Sequence, residues 1–259
     1  MSDHLSATLF SLKGKTALIT GSTRGIGFAL ARGLGEAGAH VLINGRVADT
    51  VQSVVDKLNS QSIGATALVG DVTHQGDITA QIDRFEATSG PIDILINNAG
   101  MQHRRPLESF DAEIFEQMIA VNLKAAFYTA KALSAYMIAR QHGRIINIAS
   151  VMSLLARPGI APYTATKGAI ANLTKGMAAD WAGYGLNCNA IAPGYFKTEL
   201  NAALVADQQF TSWLEERTPA GRWGDVSDLV GTAVYLASPA SSFVNGQIIY
   251  VDGGLTATL

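Results

Sequence analysis

The chain has 259 residues, of which 48% are hydrophobic and only 15% charged, and its formal net charge is −2. This composition excludes an intrinsically disordered chain, because the apolar surface available for burial is ample. It also disfavours a dedicated nucleic-acid binder, which needs a concentrated basic face. An average soluble domain carries roughly 25% charged residues, so the low charge indicates either a large core or surface hidden between copies of the chain.

The sequence carries no signal for a membrane or for an oxidising compartment. No apolar run reaches the roughly 18 residues that cross a bilayer, and residues 1–8 lack the basic start and apolar stretch of a signal peptide. Cys188 is the single cysteine, so no intrachain disulfide can form. We therefore expect a cytoplasmic protein with no membrane partner.

Short β-branched and apolar runs alternate with amphipathic segments along the chain. The runs at 16–20, 40–44, 65–69, 92–96, 144–149, 186–191 and 247–251 are predicted strands, and segments such as 26–38 and 51–58 are predicted helices. Strands that are apolar on both faces and separated by helices form parallel sheets covered on both sides. The pattern therefore predicts an α/β fold, a doubly wound parallel seven-stranded sheet with helices on both faces.

A long stretch without a predicted strand, residues 193–225, follows the sixth strand. In such folds the segment that covers the active site follows this strand, so residues 193–225 are a candidate substrate lid. The alternative is an ordinary surface insertion.

A glycine-rich loop links the first predicted strand to the first predicted helix. It consists of Gly21, Ser22, Thr23, Arg24, Gly25, Ile26 and Gly27. Glycines let a chain approach a pyrophosphate closely, and the following helix offers free N–H groups to it. The spacing predicts a dinucleotide site, and the alternative is a tight turn that binds nothing.

The end of the second predicted strand indicates which dinucleotide binds. Chains that bind NAD place a carboxylate there to hold the ribose 2′-hydroxyl, whereas this chain has Asn44, Gly45 and Arg46. An arginine pairs well with a 2′-phosphate, and Arg24 supplies a second cation. We therefore predict NADP (NADPH) in preference to NAD, the alternative being that both arginines are merely solvated.

From Leu12 onward the chain resembles the short-chain dehydrogenase/reductase family. The resemblance rests on matching residues in the family's order, which are Asp71, Val72, Asn97, Asn98, Ala99, Gly100, Asn122, Ser150, Tyr163, Lys167, Pro193, Gly194 and Thr198. It implies one Rossmann-type dehydrogenase domain over residues 1–259, an NAD(P)-dependent enzyme acting on CH-OH groups, and a homotetramer.

The resemblance also implies roles for these residues at the cofactor. It places Asp71 and Val72 beside the adenine, and it places Asn98, Ala99 and Gly100 along the cofactor channel. Pro193, Gly194 and Thr198 would hold the nicotinamide, and Tyr163 and Lys167 would adjoin it, with Lys167 binding its ribose.

Tyr163 and Lys167 are four residues apart, so at the start of a helix they share a face. A cation about 4 Å from a phenol stabilises the phenolate by roughly 4 kcal/mol, which is about three pKa units. We therefore predict Tyr163 as a general acid and base tuned toward neutrality. Ser150 would orient the substrate oxygen. By resemblance Asn122 holds a water in a relay to Lys167, whereas its alternative role is to satisfy backbone groups inside a helix.

A basic loop after the fourth predicted strand indicates an anionic substrate. Arg104 lies in that loop and Arg157 follows Ser150 closely, and arginine matches a carboxylate bidentately. Together with Ser150 and Tyr163 they are the predicted substrate-binding residues, and His103 is the histidine expected nearest the substrate. The alternative is a solvated loop, or arginines that meet acids across a subunit boundary.

Within the family the chain is most similar to members that interconvert D-gluconate and 5-keto-D-gluconate. A 3-oxoacyl carrier-protein reductase, or another polyol or ketone dehydrogenase, uses the same machinery and is the alternative. A non-catalytic NADP sensor is disfavoured, because it need not keep Asn122, Ser150, Tyr163 and Lys167. The histidine spacing predicts no metal site, and no serine lies in the G-x-S-x-G pattern of a hydrolase.

Overall fold

In the computed structural model, which describes residues 8–258, seven parallel strands form one sheet. They are β1 (Thr16–Ile19), β2 (His40–Gly45), β3 (Ala65–Val69), β4 (Ile94–Asn97), β5 (Gly143–Ile148), β6 (Leu186–Pro193) and β7 (Ile248–Val251). Their order in the sheet is β3-β2-β1-β4-β5-β6-β7. The prediction of a seven-stranded parallel sheet is confirmed, and each strand boundary lies within two residues of its predicted place.

Helices cover both faces of this sheet. They are α1 (Gly25–Glu36), α2 (Ala48–Ser60), α3 (Gln75–Thr88), α4 (Ala112–Ile119), α5 (Ala125–Ala139), α6 (Ala161–Trp181), α7 (Ala202–Ala206), α8 (Gln208–Arg217) and α9 (Val230–Ala237). The longest of them, α6, carries Tyr163 and Lys167 in its first two turns.

The strands are buried because successive side chains enter two different cores. Ile19 on β1 packs with Leu30 and Leu34 of α1 on one face of the sheet. Its neighbour Leu18 packs with Leu133 of α5 on the other face. The apolar runs that predicted these strands therefore reflect burial on both sides.

The direction of sheet growth reverses between β1 and β4, which are neighbours in the sheet. The chain builds β2 and β3 outward from one side of β1, then returns to place β4 and the later strands on the other side. Crevices at such a reversal, beyond the carboxyl ends of the strands, are the usual ligand sites of doubly wound sheets.

The segment 193–225 leaves the sheet at the end of β6 and contains α7 and α8. Its two ends meet at an isolated parallel bridge between Phe196 and Gly224. The Lys197 amide donates to the Gly224 carbonyl at 3.0 Å, and the Gly224 amide donates to the Tyr195 carbonyl at 2.9 Å. Glycine is required at 224 because a Cβ there would lie 2.6 Å from the Phe196 ring.

Candidate active site

A cavity of about 1030 Å³ opens at the carboxyl ends of the strands, at the reversal between β1 and β4. The glycine loop forms one end of its wall, and the start of α6 and the segment 193–225 form the other. Its wall contains every predicted site residue except Ser22 and Asn122, which lie behind it. The fold therefore gathers residues from seven distant parts of the sequence into one site.

The glycine loop forms a cradle that side chains would fill. A Cβ on Gly27 would lie 2.4 Å from the Asn98 side chain and from the Gly21 carbonyl. Gly21 and Gly25 have φ values of 60° and 55°, which favour glycine. The Asn98 amide fixes the loop by donating to the carbonyls of Thr20 and Gly21 at 2.9 and 3.0 Å.

The N-terminus of α1 opens directly into this cradle. No side chain caps it, and its first turn holds no acidic residue. The free N–H groups and the positive end of the helix dipole are therefore available for a phosphate. The cradle and the helix end together fit the pyrophosphate of a dinucleotide.

Ser22 and Asn44 support the loop from behind. The Ser22 hydroxyl donates to the Ile19 carbonyl at 2.7 Å and accepts from the Asn44 amide at 3.0 Å. The Asn44 side chain accepts from the Gly21 amide at 3.2 Å and donates to two carbonyls at the end of β3. Both side chains are buried and position the loop, and Asn44 also lines the cavity.

Two arginines border the cavity beyond β2. Arg46 is largely exposed and lies 3.9 Å from Asp71, and Arg24 pairs with Glu199 of the segment 193–225 at 3.1 Å. Burial raises the pKa of Asp71, but hydrogen bonds from Thr73 and the charge of Arg46 outweigh it and hold that pKa below its usual value. The end of β2 carries no carboxylate, as the sequence indicated.

Tyr163, Lys167 and Ser150 meet at the centre of the cavity. The Lys167 ammonium lies 5.7 Å from the centre of the Tyr163 ring and donates to the Ile148 carbonyl at 2.7 Å. The Ser150 hydroxyl accepts from the Met152 amide at 3.1 Å and interacts with the Tyr163 hydroxyl. A proton donor and an orienting hydroxyl therefore face the same space.

The prediction that Lys167 lowers the pKa of Tyr163 toward neutrality is wrong for this geometry. Burial raises the pKa of Tyr163 to about 12, despite opposing effects of Ser150 and the positive charge of Arg104. Burial also lowers the pKa of Lys167 to about 8. The cost of removing both groups from water exceeds the attraction between them.

Asn122 lies in a π-helical turn, Ala120–Lys124, between α4 and α5. Its side-chain oxygen accepts from the Met101 amide at 2.7 Å, and its amide donates to the Met101 carbonyl and to the Thr166 hydroxyl. The alternative role expected backbone contacts inside a helix, whereas the backbone contacts of Asn122 are with Met101 in the loop after β4. Its hydrogen bonds together tie this loop to the helix that carries Tyr163.

Arg104 and Arg157 line the same cavity, and Arg104 lies beside Tyr163 and Tyr195. Burial and the nearby charge of Arg157 lower the pKa of Arg104, against the raising effect of the two phenols. The Arg157 guanidinium lies 5.0 Å from the centre of the Phe210 ring. Among residues 8–258, no carboxylate lies within ion-pair distance of either guanidinium.

The other members of the basic loop lie elsewhere. His103 packs edge-on against Phe110 and is absent from the cavity wall, so the expectation that it lies nearest the substrate is wrong. Arg105 is exposed, and its amide donates to the Gly159 carbonyl.

Sequence reasoning missed several polar residues of the wall, among them Gln102, Tyr195 and Asn201. Tyr195 directly follows Pro193 and Gly194, so its place was open to prediction. Asn201 has no motif around it and reaches the cavity only through the path of the segment 193–225.

Metal-binding clusters and membrane-spanning helices are both absent from the part of the chain that the structure describes. No group of three histidine, cysteine, aspartate or glutamate side chains is arranged to hold a metal ion there. Within residues 8–258, no helix has the length and apolar character needed to cross a membrane.

Comparison with known proteins gives close relatives along nearly the whole chain. A family model described as enoyl-(acyl carrier protein) reductase matches residues 21–256. The gluconate 5-dehydrogenase of Gluconobacter oxydans is 54% identical over 251 residues, which are 97% of this chain and 98% of that protein. The 5-keto-D-gluconate 5-reductase of Escherichia coli K12 is 49% identical over 247 residues, covering 95% and 97%.

A solved structure agrees with these relatives. The crystal structure of a gluconate 5-dehydrogenase from Burkholderia cenocepacia, in complex with NADP and tartrate, matches with a TM-score of 0.97 and 54% identity. The match covers 98% of this chain and 100% of that one.

Proposed function

The chain belongs to the short-chain dehydrogenase/reductase family, and we propose that it interconverts D-gluconate and 5-keto-D-gluconate with NADP. The observation that carries this proposal is the pair Arg104 and Arg157, two guanidiniums without a carboxylate partner among the described residues, beside Tyr163 and Ser150. A sugar acid supplies both the carboxylate and the secondary alcohol that this arrangement fits. The tartrate in the relative's crystal structure is likewise a hydroxy acid.

The cofactor assignment is supported by the cavity beside β2. Arg24 and Arg46 border it and no carboxylate ends β2, which suits a 2′-phosphate. The relative's complex with NADP supports the same choice. When bound, the dinucleotide exchanges a hydride with the substrate carbon.

The residues of the chain manage the proton and the substrate oxygen. In reduction, the Tyr163 hydroxyl gives its proton to the ketone oxygen, and in oxidation the phenolate takes the proton of the alcohol. Ser150 donates a hydrogen bond to that oxygen and stabilises the charge that develops on it. The Lys167 ammonium lies 5.7 Å from the centre of the Tyr163 ring, and burial rather than this charge dominates the pKa of the phenol.

We further propose that the chain is one domain, residues 1–259, in which the segment 193–225 is a lid. The Arg24–Glu199 pair supports this role, because it joins the segment to the glycine loop on the opposite side of the cavity. A cytoplasmic location is part of the same proposal and is supported by the single, buried Cys188.

A homotetramer completes the proposal. Only 15% of the residues are charged, and Phe115 on α4, Phe127 on α5 and Phe243 near the C-terminus are exposed. Burial of these rings between copies would remove apolar surface from water.

Oxidation of NADPH in the presence of three kinds of carbonyl compound tests the function. The expected result is a kcat/KM for 5-keto-D-gluconate that exceeds those for an acetoacetyl thioester and for simple ketones by at least about 10²-fold, as a desolvated arginine–carboxylate contact gives. A preference for the thioester would instead assign a carrier-protein reductase. NADPH binding without oxidation of any substrate would indicate a sensor.

A further inference from the structure

Arg104 is held by two neutral amides. Its Nη2 group donates to Oε1 of Gln102 at 3.1 Å and to Oδ1 of Asn201 at 3.2 Å. Its Nε group is buried and has no hydrogen-bond partner among the described residues. One end of the guanidinium is therefore fixed by the protein, while a buried donor stays available.

The neutrality of these two acceptors has an electrostatic consequence. A carboxylate in either place would form an ion pair with Arg104 and neutralise it before any ligand arrived. An amide oxygen orients the same group and leaves its charge intact. Arg157 lies near Arg104 and adds positive charge. An anion that binds beside Arg104 therefore relieves the repulsion between the two guanidiniums.

Asn201 connects this arginine to the segment 193–225. It ends the short 3-10 turn Glu199–Asn201, and its side-chain amide donates to the Phe196 carbonyl at 3.1 Å. Phe196 is in turn fixed by the bridge to Gly224. The side chain of Asn201 thus holds Arg104 with its oxygen and the base of the segment with its nitrogen.

We infer that Asn201 is a positioning residue that holds Arg104 for the substrate carboxylate and so gives the site its preference for a sugar acid over a neutral polyol. The inference rests on the proposed function and adds to it the residue through which the segment 193–225 acts on specificity. Asn201 does not itself need to touch the reacting carbon or oxygen.

Two variants at one position separate the orienting role from the charge. Both Asn201→Ala and Asn201→Asp lose the hydrogen bond to Phe196, but only Asn201→Asp places a carboxylate against Arg104. For oxidation of D-gluconate with NADP, Asn201→Ala is expected to raise KM about tenfold, the factor for one hydrogen bond to a charged group, with kcat changed less than about twofold. Asn201→Asp is expected to raise KM about tenfold further, because Arg104 is then neutralised.

D-Glucitol is the matched neutral substrate, because it has CH2OH in place of the carboxylate of D-gluconate. Its kcat/KM is expected to change less than about twofold in Asn201→Asp, since no anion is lost. A control variant, Thr211→Val, removes the hydrogen bond from Trp223 within the segment without touching Arg104. It is expected to leave KM for D-gluconate within about twofold of the wild-type value.

The outcomes distinguish the two proposals. Wild-type enzyme that does not oxidise D-gluconate overturns the proposed function and the inference with it. Wild-type activity together with equal KM values for Asn201→Ala, Asn201→Asp and the wild type overturns the inference alone. A loss that falls on kcat, or that Thr211→Val reproduces, assigns Asn201 a purely structural role and overturns the inference as well.

Discussion

The Tyr163 hydroxyl is the group on which the proposed proton transfer depends. Replacement by phenylalanine keeps the ring beside Lys167 and removes the proton. We expect Tyr163→Phe to lower kcat by at least about 10²-fold, since a positioned general acid contributes 10² to 10⁴. Fluorescence titration should show unchanged NADPH binding, and near-wild-type turnover would exclude Tyr163 as the proton donor.

Lys167 gives a prediction about stability and pH. Its pKa falls from 10.5 to about 8 on folding, so between these values the unfolded chain holds a proton that the folded chain has released, and stability rises with pH in that window. Below pH 8 the buried charge costs about 3 kcal/mol. Lys167→Met removes that cost but leaves the Ile148 carbonyl without its donor, a loss of about 1 kcal/mol.

The Lys167→Met variant is therefore expected to be about 2 kcal/mol more stable than the wild type at pH 7. The difference should vanish near pH 10 and reverse above pH 10.5, where only the lost hydrogen bond of about 1 kcal/mol remains. Urea unfolding at pH 7 and pH 10 measures it, and Lys175→Met, at an exposed position of the same helix, is the control. A wild type that is the more stable of the two at pH 7 would contradict the assignment of burial as the cause of the lowered pKa.

At the scale of elements, the segment 193–225 touches the glycine loop through Arg24 and Glu199. Both side chains are mostly exposed, so their pairing has a small and salt-dependent effect. We expect Glu199→Gln to release NADPH about two- to fivefold faster at low ionic strength, and the two proteins to converge near 1 M salt. Stopped-flow fluorescence measures the rate, and an identical rate at low salt would argue against a lid closed by this pair.

The strands were predictable because the side chains of the central strands β4, β5 and β6 are buried on both faces of the sheet, which gives continuous apolar runs. β4 begins two residues later than expected, at Ile94. The carboxylate of Asp93, just before it, accepts from the Thr16 amide and from Lys15. The sequence could indicate that Asn122 bonds backbone groups, but it gave no sign of the π-helical turn around it. Contacts such as Asn201 with Arg104 span 97 positions and depend on the final fold, so no local pattern contains them.

At the scale of the whole molecule, the sparse charge and exposed phenylalanines predict self-association. Light scattering at micromolar concentration is expected to give a mass close to four times the 27.2 kDa of one chain. The physical reason is that exposed rings such as Phe115 and Phe127 gain by leaving water. A mass of one chain would contradict the tetramer.

Across the whole chain, the sequence predicted a doubly wound parallel sheet and more than half of the residues that line the cavity, because motif residues follow the strand ends that converge there. It did not predict the electrostatic state of Tyr163. That state depends first on burial and then on the charges of residues distant in sequence, such as Tyr195 and Arg104, which only the folded structure brings close.

The bridge between Phe196 and Gly224 has an evolutionary consequence. The residues between these two add nothing to the ladder of the sheet. Their further contacts lie outside it, such as Arg217 with Thr258 and the Ala220 amide with the Gly253 carbonyl. The segment between them can therefore be replaced or lengthened while the glycine loop and the proton-transfer residues stay in place. New substrate preferences can therefore arise in this scaffold by transplanting one loop, at little risk to folding.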